Sequence, residues 1–215
     1  MALAPAGLLG AAQLFCVERL EDVFAQWGAQ LALVDMPIGL AWGPDVRAVE
    51  PALRRALPGK ASSVFSTPCR AALTAGDYRA ASAINRAALG RGLSKQSFAL
   101  FPKIRAAEAA ALALGPERLR EGHPEMSFAL MNGGAPLRTK KRRAEGQAAR
   151  GALLQHAGLP VETLLAARQS GCGIDDILDA AALLWSAARF QRGAHRQFPE
   201  NPSFDSLGLP MAVVV

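Results

Sequence analysis

The segment from residue 31 to residue 40 most constrains how this chain can fold. Its first four residues are apolar and predict a buried strand that ends on the carboxylate of Asp35. Met36–Pro37–Ile38–Gly39 then stops the strand, because proline cannot donate to a β-ladder and glycine permits a turn. Open α/β sheets place ligands and catalytic groups at the C-terminal tips of central strands. The segment therefore predicts an α/β fold with a functional site at Asp35.

Elsewhere the sequence alternates between strand and helix patterns. Strands are predicted over 8–17, 31–35, 119–122 and 211–215. Helices are predicted over 20–29, 53–57, 77–89, 103–114, 139–157, 161–168 and 174–189, with a helical turn over 127–130. The helices between about 45 and 115 form a helical insertion. This mixture predicts a single α/β domain over 1–215.

Composition limits the classes of partner and compartment. The net charge of +6 and the pI near 9.8 are compatible with a phosphate-bearing partner, although solubility alone also explains a basic surface. Three widely spaced cysteines without C-x-x-C spacing argue against a disulfide framework or a structural zinc site, and predict a cytoplasmic protein. No stretch of 18 apolar residues occurs, so no membrane span is predicted.

Three aspartates, Asp175, Asp176 and Asp179, lie in the first turn and a half of the helix predicted over 174–189. The rest of that helix is apolar around almost its whole circumference. One acid at a helix start is explained by its favourable interaction with the N-terminal end of the macrodipole. Three acids so close together repel one another, and this cost suggests a cation between them.

A second acidic cluster, Glu121–Gly122–His123–Pro124–Glu125, follows the strand over 119–122. Glu121 lies in the predicted strand and Glu125 after it, so Glu121 is favoured as the site residue. The alternatives are that both acids are exposed beside a turn, that His123 is a core histidine, and that Asp35 caps a turn. If both acidic clusters converge on Asp35, they form a site for a divalent metal ion.

Carboxylates without Cys or His partners favour Mg²⁺ or Mn²⁺ over Zn²⁺. Two such ions can activate a water and stabilise the leaving oxygen in phosphodiester cleavage. The basic run over 138–143 contains Lys140 and Lys141, which are candidate phosphate contacts, although such a run is usually only a solvated helix start. Cations are unfavourable at the N-terminal end of a helix, and this hints at another role for them. Lys103 follows a proline turn and indicates nothing by itself.

Several phrases together resemble one family, and they occur in the order that the family has. They are VDMPIGL (34–40), SVFSTPCRAAL (63–73), GLSKQSFALFPKI (92–104), EGHPEMSF (121–128), the stretch 140–150, DDILDAAALLWSAAR (175–189) and GLPMAVVV (208–215). The chain resembles the family catalogued as domain of unknown function 429, described as predicted nucleases with a ribonuclease-H-like fold.

The resemblance implies a ribonuclease-H-like mixed sheet flanked by helices, in which carboxylates from strands and a C-terminal helix hold two metal ions. The catalytic candidates are Asp35, Glu121 and Asp176. The candidate ligands for Mg²⁺ or Mn²⁺ are Asp35, Glu121, Asp175, Asp176 and Asp179. The candidate substrate-binding residues, which would neutralise phosphate, are Lys103, Lys140 and Lys141.

The chain departs from the family at its start. Family members usually open with a strand that carries an Asp-Gly-Cys phrase, and here no acid precedes Glu18. We therefore expect the N-terminal hairpin to be missing or shortened, with no first-strand metal ligand. A sheet edge exposed in this way favours pairing into a homodimer.

Three functions remain as hypotheses. The first is a metal-dependent nuclease or phosphodiesterase acting on nucleic acid. The second is a catalytically impaired protein of the same fold that binds nucleic acid or a protein partner without cleavage. The third, a small-molecule or nucleotide kinase relative, is disfavoured because the sequence has no glycine-rich phosphate loop.

Overall fold

The computed structural model describes residues 2–4, 8–42 and 47–215, and its centre is a four-stranded sheet. The strands are β1 (Ala2–Leu3), β2 (Gln13–Leu14), β3 (Ala32–Val34), β4 (Leu119–Gly122), β5 (Gln197–Phe198) and β6 (Val213–Val214). The α-helices are α1 (Leu20–Trp27), α2 (Val49–Ala56), α3 (Tyr78–Leu89), α4 (Lys95–Ala99), α5 (Phe101–Leu114), α6 (Pro124–Met131), α7 (Ala144–His156), α8 (Val161–Ala166) and α9 (Ile174–Gln191). Short 3₁₀ helices lie at Leu9–Ala11, Ala61–Ser63 and Arg70–Thr74.

The central sheet is mostly parallel and has the order β3-β4-β6-β5. Strands β3 and β4 are parallel, as are β4 and β6, while β5 pairs antiparallel with β6. Strands β1 and β2 form a separate antiparallel pair. The register aligns Val34 with Glu121, so the carboxyl ends of β3 and β4 meet at one edge of the sheet. The fold is therefore mixed α/β, and Asp35 lies at the edge where such folds place ligands.

Helix α9 packs against β3 and against helices α6 and α7. It buries Ile177, Leu178 and Ala181, and burial of each large aliphatic side chain contributes about 1.5–3 kcal/mol. A Cβ on Gly122 would lie 2.5 Å from Cδ2 of Leu183, so a side chain at this position would displace Leu183 of α9. This packing brings the first turns of α9 to the carboxyl ends of the strands.

The turn after Asp35 depends on a glycine. Gly39 has φ +76°, and a Cβ there would lie 2.8 Å from the carbonyl oxygen of Pro210. A side chain would strain the backbone and collide with the segment that leads into β6. Gly39 thus lets the chain leave β3 and pass close to the segment that leads into β6.

Several predicted elements need correction. The strand predicted over 8–17 is instead a 3₁₀ helix followed by the two-residue β2, because i→i+3 hydrogen bonds close the Leu8–Ala12 segment. The helix predicted from 139 begins at Ala144, so Lys140, Lys141 and Arg142 precede it and Arg143 is its N-cap. The turn predicted over 127–130 is part of the two-turn α6. The predicted insertion starts at 45, and residues 45 and 46 lie outside the described residues.

None of the helices in the described part of the chain combines the length and the hydropathy that a membrane crossing requires.

Candidate functional site

A cleft of about 240 Å³ opens where β3 and β4 end. Its charged and polar lining includes Asp35, Glu121, His123 and Lys141. The rest of its lining comes from α2, from the loop around Phe65 and from Leu100, and it mixes apolar side chains with polar ones such as Glu50 and Thr67. Concave sites that combine apolar side chains with a few polar groups are the usual location of small-molecule binding.

The ammonium of Lys141 is the electrostatic centre of the acidic side of the cleft. Its Nζ lies 2.6 Å from Oδ2 of Asp179 and 4.0 Å from Oδ2 of Asp175. Asp35 is close enough for the same charge to lower its pKa. A carboxylate from the end of β3 and two carboxylates from one face of α9, spaced i and i+4, therefore surround one cation.

Asp35 and Asp179 both hold protons more tightly than ordinary aspartates. Removal from bulk water raises the pKa of Asp35 to about 6, which Lys141 opposes and Glu125 reinforces. Asp35 is exposed to the cleft, but the walls around it exclude much of the water that would stabilise its charge. Burial likewise raises the pKa of Asp179 to about 6, again opposed by Lys141.

The second oxygen of Asp179 has no hydrogen-bond partner. Its Oδ1 is buried and unpaired, although Oδ2 accepts from Lys141. An unpaired buried carboxylate oxygen costs free energy, and a bound cation is one way to recover it. Asp35, Asp175 and Asp179 present hard oxygens, the ligand type that Mg²⁺ or Mn²⁺ prefers, but in this structure Lys141 holds the position beside Asp175 and Asp179. Within the described residues, no cluster of three or more His, Cys, Asp or Glu side chains is arranged to hold a metal ion.

Glu125 joins this group from α6. Its Oε1 accepts from Nη2 of Arg150 at 2.6 Å, and its Oε2 lies 4.0 Å from Nζ of Lys60. Arg150 is fully buried and holds the Glu125 carboxylate in place. The charge of Glu125 raises the pKa of both Asp35 and Asp179. The sequence favoured Glu121 over Glu125 as the site residue of the acidic cluster over 121–125. The structure brings Glu125 to the predicted site as well.

Glu121 has a different environment. Its two oxygens accept from Nη2 of Arg47 at 2.6 and 2.5 Å, and Oε2 also accepts from the backbone N–H of Ile38 at 2.8 Å. Burial raises the pKa of Glu121 to about 7, and the Arg47 guanidinium opposes that rise. Arg47 also donates to Glu50 and to the carbonyl oxygens of Ile38 and Gly39. Glu121 therefore clamps the turn after Asp35 to β4.

Asp176 caps its own helix. It is exposed, and its Oδ2 accepts from the backbone N–H of Gly173 at 3.0 Å. This is the helix-start role that explains a single acid without a ligand. Asp175 accepts from Nε of Arg142 at 3.3 Å as well as facing Lys141. Of the three aspartates, Asp179 and Asp175 therefore face the cleft cation and Asp176 does not.

His123 is fixed by the backbone on both sides of its ring. Its Nδ1 accepts from the N–H of Met126 at 3.2 Å, and the ring also hydrogen-bonds to the backbone of Ser63. Burial lowers the pKa of His123. The imidazole is therefore a helix cap in the cleft wall, where its Nδ1 is occupied by the N–H of Met126.

Only one of the three predicted phosphate contacts reaches the site. Lys141 lines the cleft, whereas Lys140 is exposed beside it and Lys103 is exposed on α5, away from the cleft lining. Lys60 and Arg150, which were not singled out from the sequence, approach the acids through Glu125. No local pattern marks either residue, since both contacts join segments far apart in the chain.

Asp35→Asn is expected to stabilise the fold at pH 8 by about 1 kcal/mol, a figure reduced for the exposure of Asp35 to the cleft. The folded-state pKa of about 6 exceeds the ordinary 3.8, so the folded state binds this proton more tightly than the unfolded state. Stability of the natural protein should therefore rise as pH falls from above 6 towards 4, and the variant lacks this titration. Thermal unfolding across that range checks the prediction. A difference in Tm that stays constant between pH 8 and pH 4 would contradict it.

A sequence model of the family described as "Protein of unknown function (DUF429)" matches residues 4–203. No curated protein and no solved structure matches the chain.

Proposed function

The chain belongs to the DUF429 family, whose description assigns no activity, and we propose that it is a metal-dependent phosphoester hydrolase acting on nucleic acid. One observation supports this proposal above the others. Asp35 from the end of β3 and Asp179 from α9 face a common cation, and Oδ1 of Asp179 is unpaired. Acids held together at raised pKa values are a recognised mark of functional sites.

We further propose that the fold is ribonuclease-H-like. The support is a mostly parallel sheet with an acid after β3 and a long C-terminal helix whose acids approach it. The resemblance of the sequence to its family implies the same arrangement. A hydrolase of this class uses carboxylates from both elements, and in the proposed fold Asp35 and Asp179 would supply them.

Asp35 and Asp179 would hold the divalent ion, with Asp175 beside them. Such an ion, when bound, supplies charge neutralisation of the phosphate and lowers the pKa of a water. Lys141 neutralises the acids in its absence and, on a flexible stem, is able to turn towards the phosphate of a substrate. Arg150 and Lys60 form ion pairs with the Glu125 carboxylate and keep it beside the site. The net charge of +6 favours approach of a polyanion.

The proposal is tested by titrating the EDTA-treated protein with Mn²⁺ in a calorimeter and assaying cleavage of labelled single-stranded and duplex DNA and RNA. We expect saturable Mn²⁺ binding and cleavage only with the metal. Glu162→Gln is the control variant and should bind Mn²⁺ and cleave like the natural protein, because Glu162 is an exposed acid on α8 away from the cleft. Absence of both Mn²⁺ binding and cleavage would overturn the proposal.

A second candidate is a protein of this fold that binds nucleic acid without cleaving it. The observation that favours it is the 2.6 Å ion pair between Lys141 and Asp179, because a fixed ammonium already supplies the positive charge that the acids attract. In that case binding persists in EDTA and falls steeply with salt. Lys141→Met then weakens binding of labelled oligonucleotide, and no cleavage accompanies it.

A further inference from the structure

A buried acid with an unpaired oxygen lines the side of the cleft that α2 forms. Glu50, on α2, is 3% exposed and lines the cleft. Its Oε1 accepts from Nε of Arg47 at 2.9 Å and from Oγ1 of Thr67. Its Oε2 is buried and has no hydrogen-bond partner. The fold thus leaves this carboxylate oxygen without a hydrogen bond and almost without accessible surface, so a ligand in the cleft reaches it only when the side chains that cover it move aside.

The walls around Glu50 suit a flat apolar ring. Leu53, Val64 and the half-buried ring of Phe65 line this part of the cleft, and Gln96 lies exposed at its mouth. A volume of about 240 Å³ is below the usual range for sites that take larger ligands, and duplex nucleic acid does not enter it. Enzymes that act on single nucleotides read the base in pockets of this kind, by stacking and by hydrogen bonds to its polar edge.

We propose that this side of the cleft binds one unpaired nucleobase that carries an exocyclic amino group, with Oε2 of Glu50 accepting from that group; this inference rests on the proposed function for the position of the phosphate. A carboxylate oxygen accepts hydrogen bonds and cannot donate them, so it favours the amino group of cytosine over the carbonyl of uracil. Phe65 supplies a stacking face that does not distinguish among bases. The substrate class is therefore single-stranded nucleic acid, or a nucleotide at an end or loop.

The test compares CMP with UMP, which differ at this edge at C4, an amino group against a carbonyl, and at N3, an acceptor against an N–H donor. Binding is measured by calorimetry in EDTA, so neither a metal ion nor cleavage is needed. We expect CMP to bind at least about tenfold more tightly than UMP, because a hydrogen bond to a charged acceptor is worth roughly that factor. AMP and IMP form a second matched pair, for which the same preference is expected.

Glu50→Gln is the decisive variant. Its amide oxygen keeps the contacts with Arg47 and Thr67, so the amide NH₂ replaces Oε2 and donates instead of accepting. The preference should then reverse towards UMP. Phe65→Leu should weaken CMP and UMP alike by about tenfold, and Glu162→Gln should change neither.

Equal binding of CMP and UMP by a folded natural protein would overturn this inference and leave the hydrolase proposal intact. No binding of any nucleotide at millimolar concentration would also overturn it. If Glu50→Gln fails to fold, as circular dichroism would show, the CMP/UMP and AMP/IMP comparisons on the natural protein decide the matter. A preference for CMP without Mn²⁺-dependent cleavage would support this inference and remove the hydrolase proposal.

Discussion

Arg47→Met should lower the free energy of unfolding by about 3–5 kcal/mol, one of the two largest effects that we expect from a single substitution. Arg47 is 4% exposed and is the shared partner of Glu121 and Glu50. Its loss leaves two carboxylates buried without a counter-charge and two carbonyl oxygens, those of Ile38 and Gly39, without this donor. Urea unfolding followed by circular dichroism measures the change.

Two further variants separate the effect of the lost ion pair on stability from the effect of lost packing. The double variant Arg47→Met with Glu121→Met should recover part of the loss, because a buried apolar pair needs no counter-charge. Arg168→Met changes an exposed arginine in the same way and should move stability by no more than about 0.5 kcal/mol. A loss of under about 1 kcal/mol for Arg47→Met would show that the cluster does not stabilise the fold.

The Arg47 cluster also bears on activity, because it holds the turn that follows Asp35. Arg47 and Glu121 both contact the backbone at Ile38, three residues beyond the aspartate. A carboxylate displaced by even a small distance loses much of its contribution to a reaction. We infer that Glu121 positions Asp35 and does not itself touch the substrate.

Asp35→Asn should reduce metal-dependent cleavage at least about a hundredfold, since a catalytic metal contributes several kcal/mol and each 1.36 kcal/mol is tenfold. An amide carries no charge and ligates a divalent ion more weakly than a carboxylate. The same variant is expected to be more stable than the natural protein at pH 8, so unfolding cannot account for its loss of activity. Initial cleavage rates over a range of Mn²⁺ concentrations measure the effect.

Asp176→Asn is the informative comparison, because the sequence groups Asp176 with the catalytic acids and the structure places it at a helix cap. We expect its cleavage rate to stay within a few-fold of the natural protein. The amide oxygen of asparagine can still accept from the N–H of Gly173, so stability should also change little. Equal, large losses of activity for both variants would return Asp176 to the site, whereas full activity in Asp35→Asn would remove Asp35 from it.

Much of the fold follows from local patterns in the sequence. The apolar run into Asp35 and the turn at Gly39 predict β3 and its end, and these lie as expected. The apolar periodicity of 174–189 predicts α9 almost to the residue. The membership of the family, over residues 4–203, also agrees with the resemblance seen in the sequence. Such features depend on residues close in the chain, and propensity and periodicity report on them directly.

The roles of the acids were decided by tertiary structure. Glu121 and Glu125 differ by four positions in sequence, yet one meets the buried Arg47 and the other the buried Arg150. Asp176 and Asp179 lie on the same helix, and only the latter faces Lys141. The sequence by itself determined the strand that ends at Asp35, the acid-bearing helix and their order along the chain. Which carboxylate meets a cation depends on packing between distant segments, because burial and charge at a site are properties of everything folded around it.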